Sequence, residues 1–114
     1  MATAGNLEEI NVSFVDNELM IIAFPADGNN TYFSSTLAHF KGGNGQSQTF
    51  SLNPDKAKIL PPGNYKLLVV GINWGGPAGY TGYVTIGGEK KVFPAASSND
   101  LGVVLNELYD FSIS

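Results

Sequence analysis

The sequence predicts an all-β protein that folds as a single antiparallel β-sandwich of about seven or eight strands, with at most one or two short helical turns. Two observations carry this prediction. Short stretches with the two-residue alternation of strands recur along the whole chain of 114 residues, and turn clusters of Gly, Pro, Asn and Asp separate them at intervals of roughly eight to twelve residues. At this length we expect one domain, residues 1–114, with residues 1–8 as a flexible N-terminus.

The first half of the chain is predicted to form strands separated by turns. In INVSFV, residues 10–15, Ile10, Val12 and Phe14 alternate with polar partners, as in a half-buried strand. The unbroken apolar run ELMIIAF, residues 18–24, is typical of a strand covered on both faces. Because the turn-forming pair Asp16-Asn17 lies between them, we expect these two strands to form a hairpin. Further strands are predicted at 31–40 and 47–52.

The second half begins with a helix signal and continues with strands. Asn53 as a cap followed by Pro54 predicts one or two helical turns over 53–59. The segment YKLLVVGINW, residues 65–74, is apolar at both parities and is expected to lie centrally in a sheet. The pair Gly87-Gly88 supplies the positive φ angles of a two-residue turn, which predicts a hairpin between strands at 82–86 and 89–93.

The C-terminal segment, residues 97–114, carries two conflicting patterns. Leu101, Val104, Leu105 and Leu108 have helical spacing, whereas LYDFSIS alternates as a strand does, and Gly102 would cost a helix about 1 kcal/mol. We favour a strand over 103–113 and leave open a short helical turn near 98–102.

A local resemblance supports the sandwich. The segment LPPGNYKLLVV, residues 60–70, resembles the turn and strand entry of the immunoglobulin-like domain that ends galactose-oxidase-like proteins. Pro-Pro-Gly reverses the chain at a sheet edge, and Tyr65 anchors the start of the strand. The resemblance covers about a tenth of the chain, and it implies an Ig-like or lectin-like sandwich whose role is structural or binding.

Composition excludes several classes of function. All six basic residues are lysines, and the formal net charge is −4. Because nucleic-acid binders use clustered Lys and Arg, we expect neither nucleic acid nor an anionic membrane as a partner. The absence of cysteine excludes disulfides, zinc-thiolate sites and a thiol nucleophile. The apolar runs are much shorter than the roughly 20 residues of a transmembrane helix, and no classical signal peptide opens the chain. We expect a soluble protein, and its compartment is not indicated.

Catalysis and metal binding have little support in the sequence. His39 is the only histidine, no carboxylate stands near it at a ligand-like spacing, and no G-x-S-x-G motif presents a serine. We therefore expect no enzyme activity, no cofactor and no metal site, and a surface or hydrogen-bonded role for His39. The loops DGNN, residues 27–30, and SSND, residues 97–100, offer oxygen ligands for calcium, but neither has EF-hand spacing.

The most distinctive stretch is GINWGGPAGYTGY, residues 71–83, which contains the only tryptophan. By parity with Leu68, Val70 and Ile72, Trp74 is expected on the core-facing side at a strand end. Its ring could join the two tyrosines in a shallow apolar shelf that suits a sugar ring, with polar loop residues binding the hydroxyls. The alternative is that Trp74 caps the core and the tyrosines pair across strands. The candidate ligand-binding residues are Trp74, Tyr80, Tyr83, Asn73, Asp27, Asn29 and Asn30.

Two functions remain open. The first is a non-catalytic, lectin-like carbohydrate-binding module, which we expect to form a homo-oligomer because small lectins gain avidity by association. The alternative is a structural or self-assembling protein whose sheet edges pair, since the terminal strand can lie on an exposed edge.

Overall fold

The computed structural model describes residues 5–26, 34–41, 50–53, 59–76, 78–94 and 96–114. This part of the chain forms nine β-strands. Their bounds are β1 Leu7–Asp16, β2 Glu18–Pro25, β3 Ser35–Phe40, β4 Phe50–Leu52, β5 Gly63–Asn73, β6 Ala78–Ile86, β7 Glu89–Val92, β8 Ala96–Ser98 and β9 Gly102–Ile113. The described segments contain no helix, and so none that could cross a bilayer. The predicted helix start falls mostly on residues 54–58, which lie outside the described residues.

The strands form two antiparallel sheets. Sheet A has the order β3-β2-β5-β9, and sheet B has the order β4-β1-β6-β7, with β8 also paired to β6. The inward side chains of both sheets form one hydrophobic core. This arrangement confirms the predicted all-β antiparallel sandwich. Strand β4 lies within the strand predicted at 47–52, whereas β8, which is only three residues long, was not predicted.

The predicted hairpin between the first two strands is wrong. β1 pairs with β4 and β6 in sheet B, whereas β2 pairs with β3 and β5 in sheet A. The chain therefore crosses between the sheets at Asn17, which has a φ of 81°. Asn is one of the few non-glycine residues that tolerate this left-handed conformation. The turn signal was correct, but a turn alone does not determine whether the chain stays in the same sheet.

A β-bulge changes which residues of β1 face the core. Its register against β6 shifts between Val12 and Phe14. Val12 and Val15 are both buried, while Phe14 is only partly buried. An extra residue in one strand moves the following side chains to the other face. The strict alternation expected for Ile10, Val12 and Phe14 therefore ends at Val12.

Residue Tyr65 anchors one end of the core. Its hydroxyl donates a 2.6 Å hydrogen bond to the carbonyl oxygen of Pro61, and its ring stacks on Phe111 with centroids 5.4 Å apart. A tyrosine bonded to the backbone a few residues upstream is the geometry of the tyrosine corner in β-sandwiches. These contacts give Tyr65 the anchoring role at the start of the strand that the segment LPPGNY predicts.

The predicted C-terminal hairpin and strand are confirmed. Gly87 and Gly88 have φ values of 58° and 78°, as the turn between β6 and β7 requires. Strand β9 covers the predicted 103–113 and pairs with β5 along its length. No helical turn precedes β9, since residues 96–98 form β8 and residues 99–101 have no helical assignment. At the other end, residues 5–8 belong with the sheets rather than with a flexible terminus, because Leu7 is fully buried in β1.

The outward face of sheet A carries a group of apolar side chains. On β5 the odd-numbered residues face the core, so Leu68, Val70 and Ile72 point outward and are only partly buried. The strand register places outward residues of β2 and β9 beside them. We define the outer face of sheet A by Met20, Ile22, Leu68, Val70, Ile72, Val103 and Leu108. The expected core-facing position of Trp74 is wrong for the same reason, because Trp74 shares its parity with this outer face.

Candidate functional site

A chain of hydrogen bonds crosses three strands at one end of sheet A. The Trp74 indole Nε1 donates to Glu18 Oε1 at 2.7 Å, and His39 Nε2 lies 2.6 Å from Glu18 Oε2. Trp74 directly follows β5, Glu18 begins β2, and His39 lies near the end of β3. We call these three residues the Trp74 cluster. Trp74 is 70% exposed, so an aromatic surface is open to solvent beside a carboxylate and an imidazole.

Side-chain amides hold the loop that carries Trp74. The backbone N–H of Trp74 donates to Asn17 Oδ1 at 3.1 Å, and Asn17 Nδ2 donates to the carbonyl oxygen of Gly75 at 3.2 Å. Because Asn17 is the crossover between the sheets, these bonds attach the loop to a fixed point of the fold.

Asn73 supports the same loop from inside. It is buried, and its Nδ2 donates to the carbonyl oxygens of Gly76 and Asp100, each at 2.8 Å. Its Oδ1 accepts a 3.0 Å hydrogen bond from the Gly75 N–H. A buried amide needs such partners to offset its desolvation. Asn73 therefore shapes the loop rather than offering its amide to a ligand.

The electrostatics of the Trp74 cluster favour an ionised Glu18. The hydrogen bond from His39 and then that from Trp74 lower the pKa of the Glu18 carboxyl below its usual 4.5, against the opposing effect of burial. An ionised carboxylate only accepts hydrogen bonds, so His39 Nε2 carries the proton in this contact. In the neutral imidazole, Nδ1 is then the acceptor nitrogen.

The two tyrosines of the expected shelf lie elsewhere. Tyr80 is buried at 4% exposure, and its hydroxyl donates to the carbonyl oxygen of Ile72 at 3.1 Å. Tyr83 lies on the opposite face of the same strand, where its hydroxyl donates to Glu9 at 2.9 Å and Lys90 Nζ lies 4.1 Å from its ring centroid. The structure therefore does not bring the three aromatic rings together.

The polar loop residues of the expected shelf cannot be placed. Asp27, Asn29 and Asn30 lie outside the described residues. The described positions that flank them are at the far end of sheet A from Trp74, since Ala26 N–H donates to the Asn64 carbonyl oxygen and Ser35 pairs with Ala23. A concavity of about 380 Å³ at that end is lined mainly by Ala23, Pro25, Leu60, Pro61 and Tyr65.

Glu18 is a site residue that was not predicted from the sequence. Glu18 is 21 positions from His39 and 56 from Trp74, so only strand pairing brings these residues together. One signal was available, because Glu18 is the single charge at the start of the apolar run ELMIIAF. A charge at the edge of a buried strand usually has a partner.

The described residues contain no group of three or more His, Asp or Glu side chains arranged to hold a metal ion. Of the two loops considered for calcium, residues 27–30 lie outside the described residues.

The fold and the Trp74 cluster define an antiparallel β-sandwich with an exposed aromatic surface at one end of a sheet. No family model, curated protein or solved structure matches the chain.

Proposed function

We propose that the protein is a non-catalytic carbohydrate-binding module in which the indole of Trp74 is the platform for one sugar ring. The observation that supports this most directly is the exposed indole whose Nε1 is hydrogen-bonded to the Glu18 carboxylate at 2.7 Å. Of the aromatic residues in the expected shelf, Trp74 belongs to the proposed site, and Tyr80 and Tyr83 do not. Glu18 and His39 are added to it.

The electronic state of the indole favours sugar stacking. The C–H groups on one face of a pyranose carry partial positive charge and pack on the electron-rich face of an aromatic ring. Donation of the indole N–H to an ionised carboxylate increases the electron density of the ring, because charge-assisted hydrogen bonds polarise the donor. Glu18 therefore makes Trp74 a better surface for these C–H groups.

The platform is also held in place before any ligand arrives. Trp74 donates its backbone N–H to Asn17 and its indole N–H to Glu18. A side chain that is already fixed loses little entropy on binding, whereas ordering a free one costs about 0.5–1.5 kcal/mol. This preorganisation supports ligand binding over a purely packing role for an exposed tryptophan.

Polar groups beside the ring suit sugar hydroxyls. His39 is partly exposed, and its Nδ1 can accept a hydrogen bond from a sugar hydroxyl. A remaining lone pair of the Glu18 carboxylate can accept a second one. A quaternary ammonium is the competing ligand for an aromatic ring near a carboxylate. Such cations are usually held by a cage of several aromatic rings. Trp74 is the one aromatic residue among the exposed large hydrophobic side chains of the described chain, so we favour the sugar.

A homo-oligomer is part of this proposal. One aromatic platform gives weak affinity for a single sugar, and joining several copies multiplies the apparent affinity for a polyvalent glycan. The second candidate function, a structural or self-assembling protein, is favoured by a different observation, namely the long edge strand β9.

Titration of intrinsic fluorescence tests the proposal directly. Trp74 is the only tryptophan, so its emission reports on this loop alone. We expect a saturable shift with some members of a panel of mono- and oligosaccharides, with and without calcium. Tetramethylammonium, titrated in parallel, probes the cation alternative.

Matched variants separate binding from folding. Trp74 is lost as a reporter in Trp74→Ala, so binding by this variant is followed by calorimetry, and we expect it to be abolished while the far-UV spectrum is retained. Val92→Ala removes another exposed apolar side chain far from the cluster and is expected to bind normally. Sugar binding that survives Trp74→Ala, or no response to any sugar in the panel, contradicts the proposal.

A further inference from the structure

Strand β9 forms one edge of sheet A. Its twelve residues, Gly102–Ile113, pair with β5 on one side. On its other side, the backbone pairing among the described residues is with the N-terminal segment, where Asn6 bridges to Ser112 and the Ser112 N–H donates to the Gly5 carbonyl oxygen. An edge strand of this length offers a row of backbone donors and acceptors to another strand.

The edge strand β7 of sheet B differs from β9 in the side chains that it presents. Its sequence EKKV presents a carboxylate and two lysines, and lysines on an edge discourage pairing with other chains. β9 has no lysine and exposes the apolar side chains Val103 and Leu108. Of these two edges, β7 therefore carries the lysines that discourage association, and β9 does not.

The available part of β9 has a defined centre. At one end, the register against β5 shifts between Gly71 and Ile72, which leaves Val104 as the extra residue of a bulge. At the other end, Ser112 is already bridged to Asn6. Among the described residues, the regular stretch of β9 with no strand paired on its outer side therefore runs over residues 105–111, and its middle residue is Leu108.

We propose that two copies of the chain associate through β9, paired antiparallel about a two-fold axis at Leu108. An axis perpendicular to the sheet places identical strands opposite one another and closes the assembly as a dimer. The two four-stranded sheets A then become one continuous sheet, and Leu108, which is 52% exposed, packs against its counterpart.

The charges of β9 agree with this register. In a pairing about Leu108, Glu107 lies opposite Tyr109 of the second copy, and Asn106 lies opposite Asp110. No two carboxylates face each other, and Asp110 also keeps its 2.6 Å ion pair with Lys66. A register one residue earlier on the strand, about Glu107, would oppose two like charges, which destabilises cross-strand pairs.

The dimer has a consequence that rests on the proposed function. The perpendicular axis leaves the outer faces of both sheets A on the same side, so both Trp74 rings face the same way. Trp74 lies six residues along β5 from Leu68, the partner of Leu108, which puts the two rings about 40 Å apart along the strand direction. Two sugar sites on one face would bind a polyvalent glycan more tightly than a single sugar.

Cysteine cross-linking tests the register. The native chain has no cysteine, so Leu108→Cys introduces a unique thiol. Directly opposed residues of antiparallel strands have Cα atoms about 4.5–5.5 Å apart, within the range of a disulfide. Under mild oxidation we expect Leu108→Cys to form a covalent dimer. We expect Val92→Cys, at a somewhat more exposed apolar position on the edge strand β7, to stay monomeric. Equal cross-linking of both variants, or none at Leu108→Cys, overturns the proposal.

Mass measurement by light scattering gives an independent readout. We expect the unmodified chain of 12.1 kDa to elute with the mass of two copies, Leu108→Lys with the mass of one, and Val92→Lys with the mass of two. A monomeric unmodified chain, or a dimeric Leu108→Lys, refutes the interface. Leu108→Lys that keeps its fluorescence response to single sugars separates the two proposals, since loss of the dimer leaves the Trp74 site intact.

Discussion

Glu18 Oε1 accepts a 2.7 Å hydrogen bond from the indole Nε1 of Trp74. These residues are 56 positions apart in the chain, but they lie at the same end of the paired strands β2 and β5. The bond holds an exposed aromatic ring against the fold, and it places a negative charge beside that ring. The stability of this end of sheet A and the ligand binding that we propose for it therefore depend on the same carboxylate.

Acid is expected to weaken the fold through Glu18. Because its pKa is held below 4.5 by His39 and Trp74, the ionised carboxylate contributes stability above about pH 4.5, and that contribution is lost as the pH falls through the lower folded-state pKa. Urea unfolding between pH 7 and pH 3 measures it. Glu18→Gln, which keeps an acceptor for the indole but cannot titrate, is expected to lose stability less steeply. Identical pH profiles for the two proteins would refute this role.

Replacement of Asn17 is expected to destabilise the crossover between the sheets. A residue with a Cβ at a φ of 81° is strained by roughly 1–2 kcal/mol unless its side chain compensates. Asn17→Ala keeps this strain and loses the bonds to Trp74 and Gly75, whereas Asn17→Gly loses the bonds alone. We expect Asn17→Ala to have the lower unfolding free energy of the two in urea denaturation. The reverse order would show that the left-handed backbone is not what selects this residue.

Gly71 is expected to be intolerant of any side chain. A Cβ at this position would lie 2.6 Å from the Tyr80 ring and 3.0 Å from Leu105 Cβ. Overpacking of this kind typically costs about 1–3 kcal/mol. The matched control is Gly75→Ala, because a Cβ there meets nothing within 4 Å. Thermal unfolding should show a clear loss for Gly71→Ala only, and equal melting temperatures would contradict the close packing of the two sheets at this point.

Tyr83 is expected to be irrelevant to sugar binding. It lies on the outer face of sheet B, where its hydroxyl bond to Glu9 is the main cause of its raised pKa, followed by burial. Tyr83→Phe removes that bond and should leave the sugar response of Trp74 unchanged in fluorescence titration. A loss of response similar to that caused by Trp74→Ala would restore the shelf that the sequence suggested.

The sequence predicted most of the strands because each depends on neighbouring residues. The two glycines at 87–88 require a tight turn, and the alternation in LYDFSIS outweighed the helical spacing of Leu101 and Leu105. The partners of each strand were less predictable. The turn at Asp16-Asn17 is compatible with a hairpin and with a crossover, and the sequence does not distinguish them.

The candidate site was predictable only in part. Trp74 could be chosen because it is the only tryptophan and lies among glycines, but its orientation could not. In β5 both parities are apolar, so the pattern does not indicate which one faces the core. The structure shows that Leu67 and Val69 face inward and that Trp74 lies on the outer side. In β6 the even-numbered residues are the ones that face the core, which buries Tyr80.

The sequence by itself determined an all-β chain with its turns, its lack of cysteine and arginine, and one tryptophan in a glycine-rich loop. These properties follow from local backbone preferences and from composition. Only the tertiary structure decided that Glu18 and His39 meet Trp74, that β1 and β2 lie in different sheets, and that β9 forms an open edge. Such contacts depend on which strands pair and in which register, and pairing is set by the packing of the whole core rather than by any single segment.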